Sequence, residues 1–462
     1  MTTQIVTTEV LTLTRTKSPA LPVAPTDYNR QYQDQLNNVL RLYFTQLDNF
    51  IAQLMANSST LPISIGGTNV DAFGRLRVSQ PYTLFDSQNR YAADNQLDVA
   101  TTGTGTTSFL PNEAAVKMEV TGAGVGSVVR QSYRSMPYQP GKGLLVLATF
   151  VMDSSQNVDL TQRVGYFNTQ NGVFFQRVDG VYSFVLRSSS TPTPGTPSDV
   201  RTVNQSSWNG DKLDGTGASG LTLDPSKAQI LWMDFEWLGV GSVRCGFIIN
   251  GEYIVCHTFN NANDITSVYM TTAILPVRYE ITSTSAIAAS MKSICCSVVS
   301  EGGFEQTSID HVARRTTALG TIGTTFLPLV SIRLGNTTLG SVVLPNRVQV
   351  LPTTNQNYEV ALIKNAELTG ASWANVTSDT NVQFDVSASA TANGTIVQTD
   401  YVTTSGSGGT GNLSSPTGYN WDLQLGVSLG NVSDTMTVAI RTVSGATTGD
   451  AVGSLSFYDL TQ

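Results

Sequence analysis

The sequence predicts a mainly β protein in which an N-terminal arm and one helix precede two β-sandwich domains of jelly-roll, lectin-like type. Three observations carry this expectation. Gly, Ser, Thr and Asn dominate, aromatics are interspersed among them, and helix formers are scarce after residue 60, the composition of strands joined by many turns. Helical periodicity occurs once, between Tyr28 and Leu54. Asp179-Gly180 and Asn250-Gly251 each separate two apolar, strand-length runs, and such dipeptides are the strongest short-range hairpin signals.

Residues 1–27 read as an extended arm. Ile5, Val6, Val10, Leu11 and Leu13 alternate among threonines, and Ser18-Pro19-Ala20-Leu21-Pro22-Val23-Ala24-Pro25 follows, a spacer by its proline content. Residues 28–60 read as an oligomerisation helix. Leu36, Leu40, Tyr43, Leu47, Phe50 and Leu54 step by four and three, a heptad seam that only a helix gathers on one face. Val39, Phe44 and Ile51 widen it. Thr26 or Asp27 is placed to cap the start, and Asn57-Ser58-Ser59-Thr60-Leu61-Pro62 reads as the end, since Pro cannot continue a helix. Two roles stay open for the stripe: packing on the chain's own β-domain, or a bundle of three copies.

Residues 61–304 read as a jelly-roll-like sandwich. Asp71 to Val78 is a turn entering a strand, with Leu76 and Val78 on one face and Arg75 and Arg77 on the other. Leu144–Val151 is a continuous apolar run fit for a central strand. Val173–Val178 with Val181–Leu186, and Ser242–Ile249 with Tyr253–Phe259, form the two hairpins, and Gln229–Leu238 is a further strand. Gly302 to Thr317, polar and glycine-bearing with Arg314-Arg315 as its charge pair, reads as the boundary. Residues 305–462 read as a second sandwich of nine short strands: Phe326–Leu334, Leu339–Leu344, Arg347–Leu351, Glu359–Lys364, Val382–Val386, Thr395–Val402, Trp421–Val427, Thr435–Thr442 and Ser454–Leu460. Ser405–Gly411 reads as a loop tip.

Composition also bears on partners. Charged residues are 13% and the formal net charge is −8, with no basic run, so nucleic acid is not an expected partner. No window of about 18 apolar residues suggests a membrane-crossing helix, and Met1–Val6 lacks the charged start of a secretory signal. Adjacent Cys295 and Cys296 would face opposite ways in a strand, so no metal site is expected from them, and Cys245, Cys256, Cys295 and Cys296 read as buried free thiols.

The candidate glycan contacts are Trp208, Asp211 and Asp214, which offer an aromatic surface and oxygen ligands beside Trp232, Trp237 and Tyr253. Trp232 and Trp237, five apart in the expected strand, would lie on opposite faces. The Asp211–Gly217 loop lacks the acidic spacing and terminal Glu of an EF-hand, so it reads as an ordinary turn. Asp234 and Glu236, two apart, would share a strand face, as a glycosidase's paired carboxylates could. His257 and His311 fit no zinc or nucleophile motif. No catalytic, cofactor or metal residue is assigned.

Longer strings carry a resemblance. LRLYFTQLDN (Leu40–Asn49), FGRLRVSQPYTLFDS (Phe73–Ser87), NQSSWNGDKLDG (Asn204–Gly215), DFEWLGVG (Asp234–Gly241) and LTGASW (Leu368–Trp373) together resemble a family of tailed-phage virion structural proteins common in marine phages, including those of cyanobacteria. The resemblance implies a structural, fibre, neck or decoration component of the virion, assembled in the host cytoplasm, without catalytic residues or cofactors. The expectation is a homotrimer held through the Leu36–Leu54 seam, with the arm docking it to other virion proteins and no membrane insertion. The alternative is a receptor-binding tail or head fibre that recognises a host-surface glycan through the middle domain. A distant third is a glycan-cleaving enzyme using Glu236.

Overall fold

The structure is a computed structural model that describes residues 27, 30–60, 80–155, 158–190, 193–305, 308–404, 411–413, 421–443 and 448–461, with the side chains of 49–60, 200 and 411–413 excepted. The arm, the Asp71–Val78 turn and strand, and residues 405–410 of the glycine-rich loop lie outside these residues. The chain divides into two compact units, Met1–Asn69 and Val70–Gln462.

The first unit contains one helix, α1 (Arg30–Thr60), of 31 residues. Its sequence holds neither Gly nor Pro, so no turn of the i→i−4 ladder is weakened, and at 1.5 Å per residue it is about 46 Å long. Asn57 to Thr60, expected to end the helix, are still helical. On the surface Arg41 donates to Asn38 Oδ1 (3.1 Å), a pairing across one turn. Leu36, Val39, Leu40, Tyr43 and Leu47 are each half-buried, none fully, and Leu42 and Phe44 are 61% and 57% exposed. The side chains of Phe50 and Leu54 are not among those described.

The second unit is built from antiparallel sheets. One runs Glu252–Phe259, Val243–Ile249, Gln229–Phe235, Gly143–Met152, Ala289–Glu301, Ala115–Val120 and Gly105–Leu110, and Tyr82–Gln88 also pairs with Ala289–Glu301. The other runs Ser198–Asn204, Val181–Ser188, Gly172–Val178, Leu160–Phe167, Val277–Ser283, Gly126–Ser132 and Leu97–Gly103. The two share one apolar core. Phe175 lies 5.9 Å from Phe150 and 5.1 Å from Phe247 across it, the latter edge-to-face, a preferred aromatic geometry.

The expected central strand, here Gly143–Met152, is flanked on both sides by partners. Both hairpins form as read. Asp179 (φ 49°) with Gly180 (φ 82°), and Asn250 (φ 55°) with Gly251 (φ 83°), are left-handed at both central positions, the backbone whose twist suits a two-residue hairpin. Gln229–Phe235 stops three residues short of the expected end, because Leu238 (φ 36°) and Gly239 (φ 80°) turn the chain. Trp237 therefore lies beyond the strand, and the opposite-face expectation for Trp232 and Trp237 does not apply. Cys295 is exposed and Cys296 buried, so they do face opposite ways. Cys245, Cys256 and Cys296 are buried free thiols, but Cys295 departs from that expectation where the strand shifts register between Ser293 and Cys296.

A second pair of sheets follows: Asp310–Ile322, Gly449–Asp459, Val343–Pro352 and Gly411–Leu413 in one, and Ala374–Asn375, Val382–Asp385, Leu327–Leu334, Thr435–Thr442, Asn357–Lys364 and Thr395–Thr403 in the other. They enclose their own core. Three readings are corrected. Asp310 to Thr317, which the sequence presents as the end of the polar boundary, belongs to a strand of 13 residues, Asp310–Ile322. Leu339–Leu344 and Arg347–Leu351 merge into Val343–Pro352, across a register shift between Pro345 and Arg347. Trp421–Val427 is a short 3₁₀ turn (Trp421–Leu423) with a following loop.

That loop joins the sandwiches. Gln424 Nε2 donates to Ser135 O (2.8 Å), Val427 N to Tyr133 O (2.7 Å) and Leu429 N to Asp98 Oδ2 (2.7 Å), while Arg134 donates to Trp421 O. Leu423 and Leu425 are buried.

Candidate functional site

The acidic loop holds itself together. After the turn Gln205–Ser207, Trp208 drops into the core, with its ring 4.8 Å from Phe184 and its Nε1 donating to Val203 O (3.1 Å). It is 2% exposed and offers no face to a sugar. Its neighbours in the sequence are polar, so burial could not be read from the string. Asp211 accepts from Leu213 N (2.8 Å) and Ser219 N (2.7 Å), and Asp214 from Thr216 N (2.9 Å) and Thr216 Oγ1 (2.6 Å). Burial pushes the Asp211 carboxyl up, but those N–H bonds outweigh it and hold it below its ordinary value. Asp214 is likewise held low, chiefly by the Thr216 hydroxyl. Both act as local caps on their own loop.

The two carboxylates of the pair are engaged separately. Asp234 is buried and ion-paired with Arg244 on the neighbouring strand. Glu236, past the strand end, accepts from Ser242 N at 3.4 Å. Tyr253 packs edge-on against buried Trp232 at 5.5 Å. His311 stacks on Phe457 at 5.7 Å. Among the described residues, no group of three or more His, Cys, Asp or Glu side chains is placed to hold a metal, and no helix is long and apolar enough to cross a membrane.

His257 sits beneath the acidic loop, its Nδ1 accepting from Asn209 N (3.3 Å). Burial, reinforced by the Arg201 charge, lowers its pKa to about 4. An unfolded imidazole titrates near 6.5. Between those values the unfolded chain binds a proton that the folded chain refuses, so stability is complete above pH 6.5 and falls as pH drops toward 4. With partial solvation discounted, about 2 kcal/mol is at stake. Urea midpoints at pH 7 and 4.5 should therefore differ less in His257→Gln than in the wild type; an equal difference would remove His257 as the cause.

Two of the concavities in the second unit lie where the sandwiches meet. One, about 610 Å³, is a polar cleft between the sandwiches, lined by Tyr133, Arg134, Lys364, Asn365 and Asp434 among others. Asp434 is paired with Lys364 Nζ (3.0 Å) and Asn365 Nδ2 (2.7 Å), and accepts from Gly426 N (2.9 Å). These groups pair with one another, as at a joint.

The other, about 520 Å³, is lined by the Pro137–Pro140 turn with Lys142, by Trp237, by Thr271–Ile274, by Phe304 and Glu305, and by Leu460 and Thr461. Trp237 and Tyr138 are half-buried, their rings 6.0 Å apart and nearly perpendicular. Trp237 N donates to Tyr138 Oη (3.0 Å) and Trp237 Nε1 to Met270 O (3.1 Å), which fixes both rings. The Gln139 amide bonds the backbone N–H (2.9 Å) and carbonyl of Glu305. Lys142 Nζ is buried and makes no hydrogen bond among the described residues; its carboxylate neighbour is Glu305, 3.7 Å away. Of this set, the sequence singles out only Trp237 as a stacking surface. The Pro137-Tyr138-Gln139-Pro140-Gly141-Lys142 string is the available signal for the rest, and Gly302-Gly303-Phe304 reads as the start of the boundary.

No family model matches the chain, and no curated protein matches its sequence. Solved structures resembling it include the carbohydrate recognition domain of Emp47p (TM-score 0.30, 9% identity, covering 48% of this chain and 97% of that one). A protein of unknown function from Shewanella oneidensis MR-1 gives TM-score 0.32 at 9% identity, over 54% of this chain and 100% of that one. Peanut lectin with a bound 9mer peptide gives 0.26 at 12% identity, over 48% and 98%.

Proposed function

We propose that the chain is a structural component of a tailed-phage virion, a fibre, neck or decoration protein that assembles as a homotrimer through α1 and docks to other virion proteins through its N-terminal arm. The observation that carries this reading is the heptad stripe of α1: Leu36, Leu40, Tyr43 and Leu47 lie on one face and none is buried. With Leu40 and Leu47 on one row and Leu36 and Tyr43 on the other, the stripe has the knob spacing of a coiled coil, and Phe44 beside it widens the seam beyond a two-stranded zipper's. Closed cyclic symmetry is the norm among homo-oligomers. The resemblance of LRLYFTQLDN and FGRLRVSQPYTLFDS to virion proteins supports the setting. The placement of Asp234 in an ion pair and of Glu236 outside the strand favours a structural over a glycan-cleaving role.

The test is the mass of the full chain in solution. A trimer is expected, and Leu40→Asp with Leu47→Asp should convert it to monomer without changing the β-rich circular dichroism. Trimers that survive the double substitution would sink the reading.

A further inference from the structure

The geometry points to a binding site for a neutral sugar ring in the pocket between Tyr138, Trp237 and Glu305. It is independent of α1 and uses none of Trp208, Asp211 or Asp214.

The pocket is amphipathic in the sense a pyranose requires. Its volume of about 520 Å³ falls within the range of small-molecule sites, roughly 300–1,000 Å³. Trp237, Tyr138 and Phe304 supply aromatic surface, which matches the C–H face of a sugar ring. The Trp237–Tyr138 and Trp237–Met270 bonds hold two of those rings before any ligand arrives, so little side-chain entropy is lost on binding.

The polar groups sort clearly. Gln139 is committed to the Glu305 backbone, Thr272 Oγ1 to Ile274 N, and Thr461 Oγ1 to Asp459 and Val342 N. Thr271 Oγ1 is engaged by Asn171 and Ser189. Lys142 and Glu305 are the charged groups of the lining. The ammonium carries three donors, and none makes a hydrogen bond among the described residues although the atom is buried, a costly state. The Glu305 carboxylate is 79% exposed and 3.7 Å from it, beyond hydrogen-bond length. A donor-only group beside an acceptor-only group is what adjacent sugar hydroxyls match, since each hydroxyl both accepts and donates. One hydroxyl would accept from Lys142 and its neighbour would donate to Glu305. The local charges cancel, and the chain is net acidic at −8, so a neutral ring fits better than a uronic or sialic acid.

Saturation-transfer NMR and tryptophan fluorescence titrations on the full chain test this with the methyl glycosides of glucose, galactose and mannose, with N-acetylglucosamine, and with N-acetylneuraminic acid as the acidic arm. At least one neutral sugar should bind, weakened about tenfold or more by Lys142→Ala and by Glu305→Ala, a factor readily resolved by titration. Glu305 is exposed, so its variant tests the site with the fold intact. Absence of binding by every neutral sugar, binding confined to the acidic one, or affinities unchanged in both variants would each overturn the assignment.

Discussion

Gly246→Val should destabilise the second unit severely. Gly246 sits in Val243–Ile249, directly opposite Trp232 on one neighbouring strand and Val255 on the other, where the pairing shifts register. A Cβ at this position would stand 1.8 Å from Ile254 O and 2.9 Å from Trp232 Nε1. Trp232 is fully buried and donates to the same Ile254 carbonyl at 3.3 Å. Any side chain must therefore push two strands apart and break the bond that seats the indole. A glycine within a strand marks such a close approach of backbone. Overpacking of this kind costs about 3 kcal/mol for alanine and above about 4 kcal/mol for valine, against a total stability of about 5–15 kcal/mol. The check is thermal unfolding of Gly246→Ala, expected well below the wild type, together with the soluble yield of Gly246→Val. An alanine variant melting at the wild-type temperature would show that the bulge relaxes at no cost.

What was legible in the sequence is what short-range physics decides. The Asp179-Gly180 and Asn250-Gly251 turns, the apolar Gly143–Met152 strand and the periodicity of α1 each follow from a few adjacent residues. The misreadings share another cause: the partner that decides the outcome is distant in sequence. Asp310–Ile322 looked like a linker because of Arg314-Arg315, yet Arg315 is satisfied by Leu329 O (2.9 Å) and Val386 O, and Gly449–Asp459 completes its ladder. Trp421–Val427 looked like a strand because it is apolar, but Leu423 and Leu425 are buried in a loop that joins the two sandwiches, not in a ladder. The aromatic pocket draws on five separate segments, so no single window announces it. Trp208 shows the converse, an aromatic in a polar string that the fold takes inside.

Trp421→Ala should uncouple the two sandwiches. The indole donates to Tyr82 Oη (2.7 Å) and packs edge-on against Phe304 (5.0 Å) and Tyr82 (6.3 Å), so one side chain of the second sandwich anchors on two aromatics of the first. Its carbonyl takes the Arg134 guanidinium, whose burial lowers its pKa and whose carboxylate neighbour is Asp422 at 3.7 Å. Truncation removes the ring packing and leaves the Tyr82 hydroxyl without this donor, a loss of about 3 kcal/mol. Trp421→Phe keeps most of the packing and should lose only about 1 kcal/mol. Because the lost contacts join sandwiches with separate cores, the deficit falls on their coupling, and calorimetry should resolve two transitions where one is expected of the wild type. A single transition at an unchanged midpoint would mean that the Gln424, Val427 and Leu429 hydrogen bonds suffice. The sugar pocket gives a second readout. Tyr138 and Trp237 face it from one sandwich and Leu460 and Thr461 from the other, so a variant whose sandwiches part should lose sugar binding when they separate.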